Sequence, residues 1–104
     1  QDPMMFRYEH FLSISHFTFG NYEEAERYGL DSMARNPSYS SNLRVTAASM
    51  VAQGKLAEAD MLRTKVIALE PDFSVENLVR RAPFRDPEMR QKFGTLLTQA
   101  GFSR

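Results

Sequence analysis

Apolar and polar residues follow helical spacing through most of the chain. The stretch from Leu56 to Leu69 places Leu56, Ala59, Leu62, Val66, Ile67 and Leu69 on one broad stripe, the rhythm of a helix that buries one side. Val75, Leu78 and Val79 stand at i, i+3 and i+4, which marks a short helix ending near Arg81. A final helix sets Met89, Phe93, Leu96, Leu97 and Ala100 on one face, with Arg90, Gln91, Lys92 and Gln99 largely on the other. The beginning of the chain differs. Met4, Met5, Phe6, Tyr8, Phe11, Leu12, Ile14, Phe17 and Phe19 surround the first helix instead of forming one stripe. A helix apolar all round wants burial on more than one side.

Punctuation residues set the boundaries. The first helix is expected from about Pro3 to Phe19, with Asp2 as N-cap and Pro3 at the first helical position. The second runs from about Tyr22 to Arg35, the third from about Ser40 to Gln53, and the fourth from about Leu56 to Leu69. Gly20 and Gly54 supply the positive φ needed where one helix ends and the chain reverses. Asn21 and Glu24 have capping-box spacing. Pro37 and Pro71 force the residues before them into extended geometry and so stop the second and fourth helices. Ser74 is expected to cap the short helix, Ala82-Pro83-Phe84 to form a linker, Asp86-Pro87 to open the last helix, and Gly101 to close it.

These signals repeat. Gly20-Asn21-Tyr22-Glu23-Glu24-Ala25-Glu26 has its echo in Gly54-Lys55-Leu56-Ala57-Glu58-Ala59-Asp60, and Asn36-Pro37 in Glu70-Pro71, all offset by 34 residues (20 to 54, 37 to 71). With Gly20, Tyr22, Ala25 and Pro37, then Gly54, Leu56, Ala59 and Pro71, the chain resembles the tetratricopeptide repeat family. The resemblance covers two units, about 6–39 and 40–73, with a tail of 74–101. It departs from the family where Gly29 and Arg63 replace a large apolar residue and where Ser32 and Val66 replace an alanine. The first-helix tryptophan and glycine are also missing, their places held by Glu9 and Ser13, then Leu43 and Ala47. The resemblance implies an all-α, right-handed superhelix of two antiparallel helical hairpins in one domain. The amphipathic last helix would cap it, since a solenoid must meet water at its end. The chain reads as a C-terminal fragment of a longer protein.

A narrower likeness rests on Leu43-Arg44-Val45-Thr46-Ala47-Ala48-Ser49, Pro71-Asp72-Phe73, Pro83-Phe84-Arg85-Asp86-Pro87-Glu88 and Gln99-Ala100-Gly101-Phe102. Over about 20–102 it is similar to the C-terminal repeat region of bacterial class III adenylate/guanylate cyclase-like signalling proteins. That would imply a catalytic or DNA-binding domain upstream, and none of a cyclase's metal- or nucleotide-binding residues map onto these positions.

Composition narrows the function. Thirteen basic residues balance thirteen acidic ones, so the positive excess expected of a nucleic-acid binder is missing. With no cysteine there is neither disulfide nor thiolate zinc site, in keeping with a cytoplasmic, reducing setting. No apolar run is long enough to span a bilayer, so no membrane insertion by this chain is expected. His10 and His16 are six positions apart, which puts them on different helix faces and argues against a metal pair. Glu23, Glu24 and Glu26 read as a solvated acidic first turn. Arg80, Arg81 and Arg85 read as a small solvated basic cluster. No phosphate loop, nucleophile elbow or acid–base constellation occurs, so neither an enzymatic role nor a cofactor is expected.

The expected work is therefore protein binding. The family resemblance implies that first helices line a concave face, with groove positions at Arg7, His10, Ile14 and Phe17 in the first unit and Ser41, Arg44, Ala48 and Val51 in the second. Such a surface suits an extended or helical peptide. Two alternatives stand beside it: a homodimer through Phe6, Tyr8 and Phe11 of the aromatic first helix, and a regulatory appendage of an upstream cyclase-type domain.

Overall fold

A computed structural model describes residues 4–82 and 84–102 of the protein. Six α-helices and no strand occur among them: α1 (Met5–Thr18), α2 (Tyr22–Arg35), α3 (Ser40–Ala52), α4 (Leu56–Leu69), α5 (Val75–Arg81) and α6 (Pro87–Gln99). The expected cap Asp2, first-turn Pro3 and linker Pro83 lie outside the described residues.

The sequence repeat is also a backbone repeat. Both ends of α2 recur in α4 after 34 residues (22 to 56, 35 to 69). Gly20 and Gly54 hold φ of 80° and 81°. Behind each glycine the backbone closes the same way: Asn21 N–H donates to His16 O at 2.8 Å, and Lys55 N–H to Met50 O at 2.9 Å. These bonds satisfy carbonyls that a helix end would otherwise leave open. The Asn21 side chain is not a cap, contrary to the capping-box spacing; it turns back to His16 Nδ1 at 3.4 Å. Side-chain caps do form where Ser74 Oγ accepts from Asn77 N–H and Asp86 Oδ1 from Glu88 N–H.

Short three-residue turns make α1 with α2, and α3 with α4, neighbouring pairs. Ala25 and Ala59, both fully buried, let the helices of each pair approach. Inside the first pair Ser13 Oγ donates to Ala25 O, and Ser32 Oγ to Phe6 O, each at 2.7 Å. The serines that break the family pattern therefore bond helix to helix. Their counterparts in the second pair, Ala47 and Val66, are fully buried apolar side chains.

α3 is the centre. Every residue from Asn42 to Val51 is buried, because α1, α2, α4 and α6 all pack on it. Close approach of α2 requires Gly29, where an added Cβ would stand 2.0 Å from Thr46 Oγ1. A polar clasp joins the pairs nearby: Glu26 accepts from Lys55 Nζ at 2.8 Å and Gln53 Nε2 at 2.9 Å. Glu26 is consequently buried, not the solvated first-turn acid its neighbours suggested.

On α4 the buried stripe is narrower than expected. Ala59, Leu62 and Val66 are buried, whereas Leu56 and Leu69 are exposed together with Met61. The last helix explains this. α6 packs chiefly on α3 and α5, and beyond it Gly101 comes against Arg63 of α4 and Phe102 against Phe73. Gly94 permits the α5–α6 crossing, since a Cβ there would meet Val79 Cγ2 at 2.8 Å.

Candidate protein-binding face

The first-helix positions expected to form a groove fall in two groups. Phe17, at the C-terminal end of α1, is 0% exposed. Its ring meets Phe84 at 5.5 Å, Phe93 at 5.7 Å and Tyr22 at 5.6 Å between centroids. Phe84 and Phe93 in turn lie 5.3 Å apart, edge to face, the arrangement that aromatic quadrupoles favour. Lys92 of α6 reaches over Tyr22, its Nζ 5.0 Å from the ring centre. Ala48 and Val51 are buried on α3, the helix against which α6 packs. This half of the face is thus already occupied by the chain's own C-terminal segment. Phe84 and Phe93, which do the occupying, were visible in sequence as a linker residue within a recurring motif and as a member of an amphipathic stripe. Nothing in that pattern says which surface the stripe will meet.

The other group keeps some access. Arg7 is exposed, and Ile14 and Ser41 are half-buried. His10 and Arg44 line a cleft of about 270 Å³ with Tyr39, Arg81 and Phe93. Arg44 is mostly buried and held on several sides: Nη1 donates to Glu70 Oε1 and Oε2 at 3.0 and 2.9 Å, and Nη2 to Ser41 Oγ at 3.0 Å. Its guanidinium also sits over Phe73, 5.5 Å from the ring centre. Glu70 answers this charge. Burial works against its ionisation, but the Ser40 hydroxyl and the Arg44 charge outweigh it and hold the carboxyl below the usual range. Arg44 thereby ties α3 to the end of α4, and Arg81 is the exposed cation of the cleft.

His10 has a structural duty. Asn42 Nδ2 donates to Gly29 O at 2.8 Å, which leaves Asn42 Oδ1 as an acceptor 3.1 Å from His10 Nδ1. The neutral ring therefore carries its proton on Nδ1. Burial pushes the His10 pKa below its ordinary value of 6.5; the Asn42 bond opposes this, and the Arg44 charge adds to it. Between the lowered and ordinary values the unfolded chain binds more protons, so stability is complete above about pH 6.5 and declines as the pH falls. Urea unfolding at a series of pH values should show this decline toward pH 5 or so, flattened in His10→Gln. An unchanged slope in that variant would exclude His10 as the source.

The expected association residues also divide. Phe6 is half-buried, its ring edge-on to Tyr39 at 5.1 Å, and so faces inward. Tyr8 and Phe11 are 59% and 63% exposed. His16 stacks on Tyr28 at 5.5 Å. Among the described residues no group of three His, Asp or Glu side chains is placed to hold a metal, and no helix is long and apolar enough to cross a membrane. No protein-family model, curated protein or solved structure matches the chain.

Proposed function

We propose that the chain is a tetratricopeptide-type helical-repeat module that binds protein by seating an amphipathic helix on the face of its first helices. One observation carries this reading: α6, an amphipathic helix, already lies there, with Phe93 and Phe84 anchored on Phe17. A surface that accepts one such helix in cis has the shape and apolar character to accept another, and buried aromatic anchors are where binding energy concentrates. A partner helix must then compete with α6, which lowers its apparent affinity by the fraction of time the face is open. The alternative of a regulatory appendage to a nucleotide cyclase has sequence resemblance behind it, and no feature of the structure favours it.

A peptide of residues 86–102, labelled for fluorescence anisotropy, tests the proposal. Phe93→Ala should loosen α6 within the chain, and the peptide, which retains its phenylalanine, should bind this variant roughly tenfold or more tighter than the parent. If a Phe93→Ala chain that keeps its helical circular dichroism ignores the peptide, the proposal fails.

A further inference from the structure

The internal repeat contains its own control for the outer face of α1. Shifted by 34 residues, Tyr8, Phe11, Leu12 and Ser15 correspond to Asn42, Val45, Thr46 and Ser49 of α3. Those four α3 residues are at most 2% exposed. They lie on the helix that α2 packs against, where Asn42 bonds Gly29 O and Thr46 abuts Gly29. On α1 three of the four positions, Tyr8, Phe11 and Leu12, carry larger and more apolar side chains and the fourth is again serine, yet Tyr8 is 59% and Phe11 63% exposed, and Phe19 just past the helix end 80%. One repeat later this register is an interface. On α1, among the described residues, Tyr8 and Phe11 stand open and Leu12 and Ser15 are half-buried.

We infer that this face of α1 is the contact surface of a homodimer, with a second copy of the same helix as its occupant. Area comes first. A fully exposed aromatic side chain offers about 150–250 Å², so Met4, Tyr8, Phe11 and Phe19 together present on the order of 500 Å² per copy. Two copies would remove about 1,000 Å² from water, the lower bound of a specific interface. Shape comes second. α3 meets α2 through small polar residues fitted to Gly29, whereas α1 carries bulky side chains beside the small Ser15 and so needs a partner with both bulk and gaps.

Its own antiparallel copy supplies them. A two-fold axis between Phe11 and Leu12 sets Tyr8 opposite Ser15, Phe11 opposite Leu12, and Arg7 opposite His16. Charge comes third. This pairing keeps the two Arg7 guanidiniums about 14 Å apart along the helix axis, and Glu9, the only acid on α1, is buried against Arg35 at 2.7 Å and absent from the face.

Light scattering of the complete chain over a hundredfold concentration range should show the dimer forming. Phe11→Asp, at an exposed position, should leave the helical signal unchanged and weaken association roughly thirtyfold or more. Because the chain has no cysteine, a Tyr8→Cys/Ser15→Cys double variant should oxidise to a covalent dimer far faster than either single variant. A monomer at every concentration overturns the inference, as does a dimer indifferent to Phe11→Asp. So would a dimer lost in Leu56→Asp and kept in Phe11→Asp, which would place the contact on the exposed side of α4.

Discussion

Gly29→Ala should destabilise the chain by about 2 kcal/mol, although alanine in place of glycine ordinarily stabilises a helix by about 1 kcal/mol. The sign reverses because of α3. A Cβ on Gly29 would meet Thr46 Oγ1 at 2.0 Å, Cβ at 3.0 Å and Cγ2 at 3.2 Å. Rotating Thr46 away does not help, since its hydroxyl donates to Asn42 O at 2.8 Å and its Cβ cannot move without the backbone. Asn42, one turn earlier, is tied to Gly29 O and His10, so separating the helices also strains those bonds. Melting should fall by about 10 °C. Gly29→Leu, which introduces the large apolar residue usual in the repeat family the sequence resembles, should prevent folding. In a double-mutant cycle Thr46→Ala should recover a good part of the Gly29→Ala loss, because the two act through one contact. A Gly29→Ala protein as stable as its parent would show that α2 and α3 are further apart than described.

Phe17→Ala should cost about 4 kcal/mol, the range for emptying an aromatic site in a packed core. Phe17 joins the first hairpin to the tail through Phe84 and Phe93 and to its own turn through Tyr22. Removing it creates a cavity and takes away the seat of α6 together. The loss should therefore not add to that of Phe93→Ala, the combined variant being more stable than the sum predicts. Urea midpoints of the three variants measure this. A Phe17→Ala loss below about 1 kcal/mol, well under the usual cost of such a truncation, would mean that the tail is not anchored there.

Local chemistry made much of this architecture legible. Gly20, Gly54, Ser74, Asp86-Pro87 and Gly101 act as sequence neighbours alone require, because positive φ and side-chain capping are decided within a few residues. The 34-residue period gave α2 and α4 their common boundaries. What escaped the sequence depends on distant partners. Gly29 reads as a defect in a family pattern until Thr46 is seen against it. Glu26 reads as a surface acid until Lys55 and Gln53 close around it. The stripe of α6 is equally apolar whether it covers α4 or lies across α3 and Phe17, and periodicity cannot choose between them. Of the eight expected groove residues, Phe17, Ala48 and Val51 are closed off and His10 and Arg44 have structural partners, because the tail's destination was the unreadable step.

The placement of α6 changes how the molecule can come apart. In an open row of repeats each unit touches only its neighbours, so the row frays from an end and partly unfolded forms survive. Here the last helix packs on buried α3 of the second hairpin and also sets Phe93 directly against Phe17 of the first. The topology of contacts is closer to a ring than to a line. No terminal unit can leave without breaking the contacts of the unit farthest from it in sequence. Such a chain behaves as one cooperative unit, folded throughout or not at all.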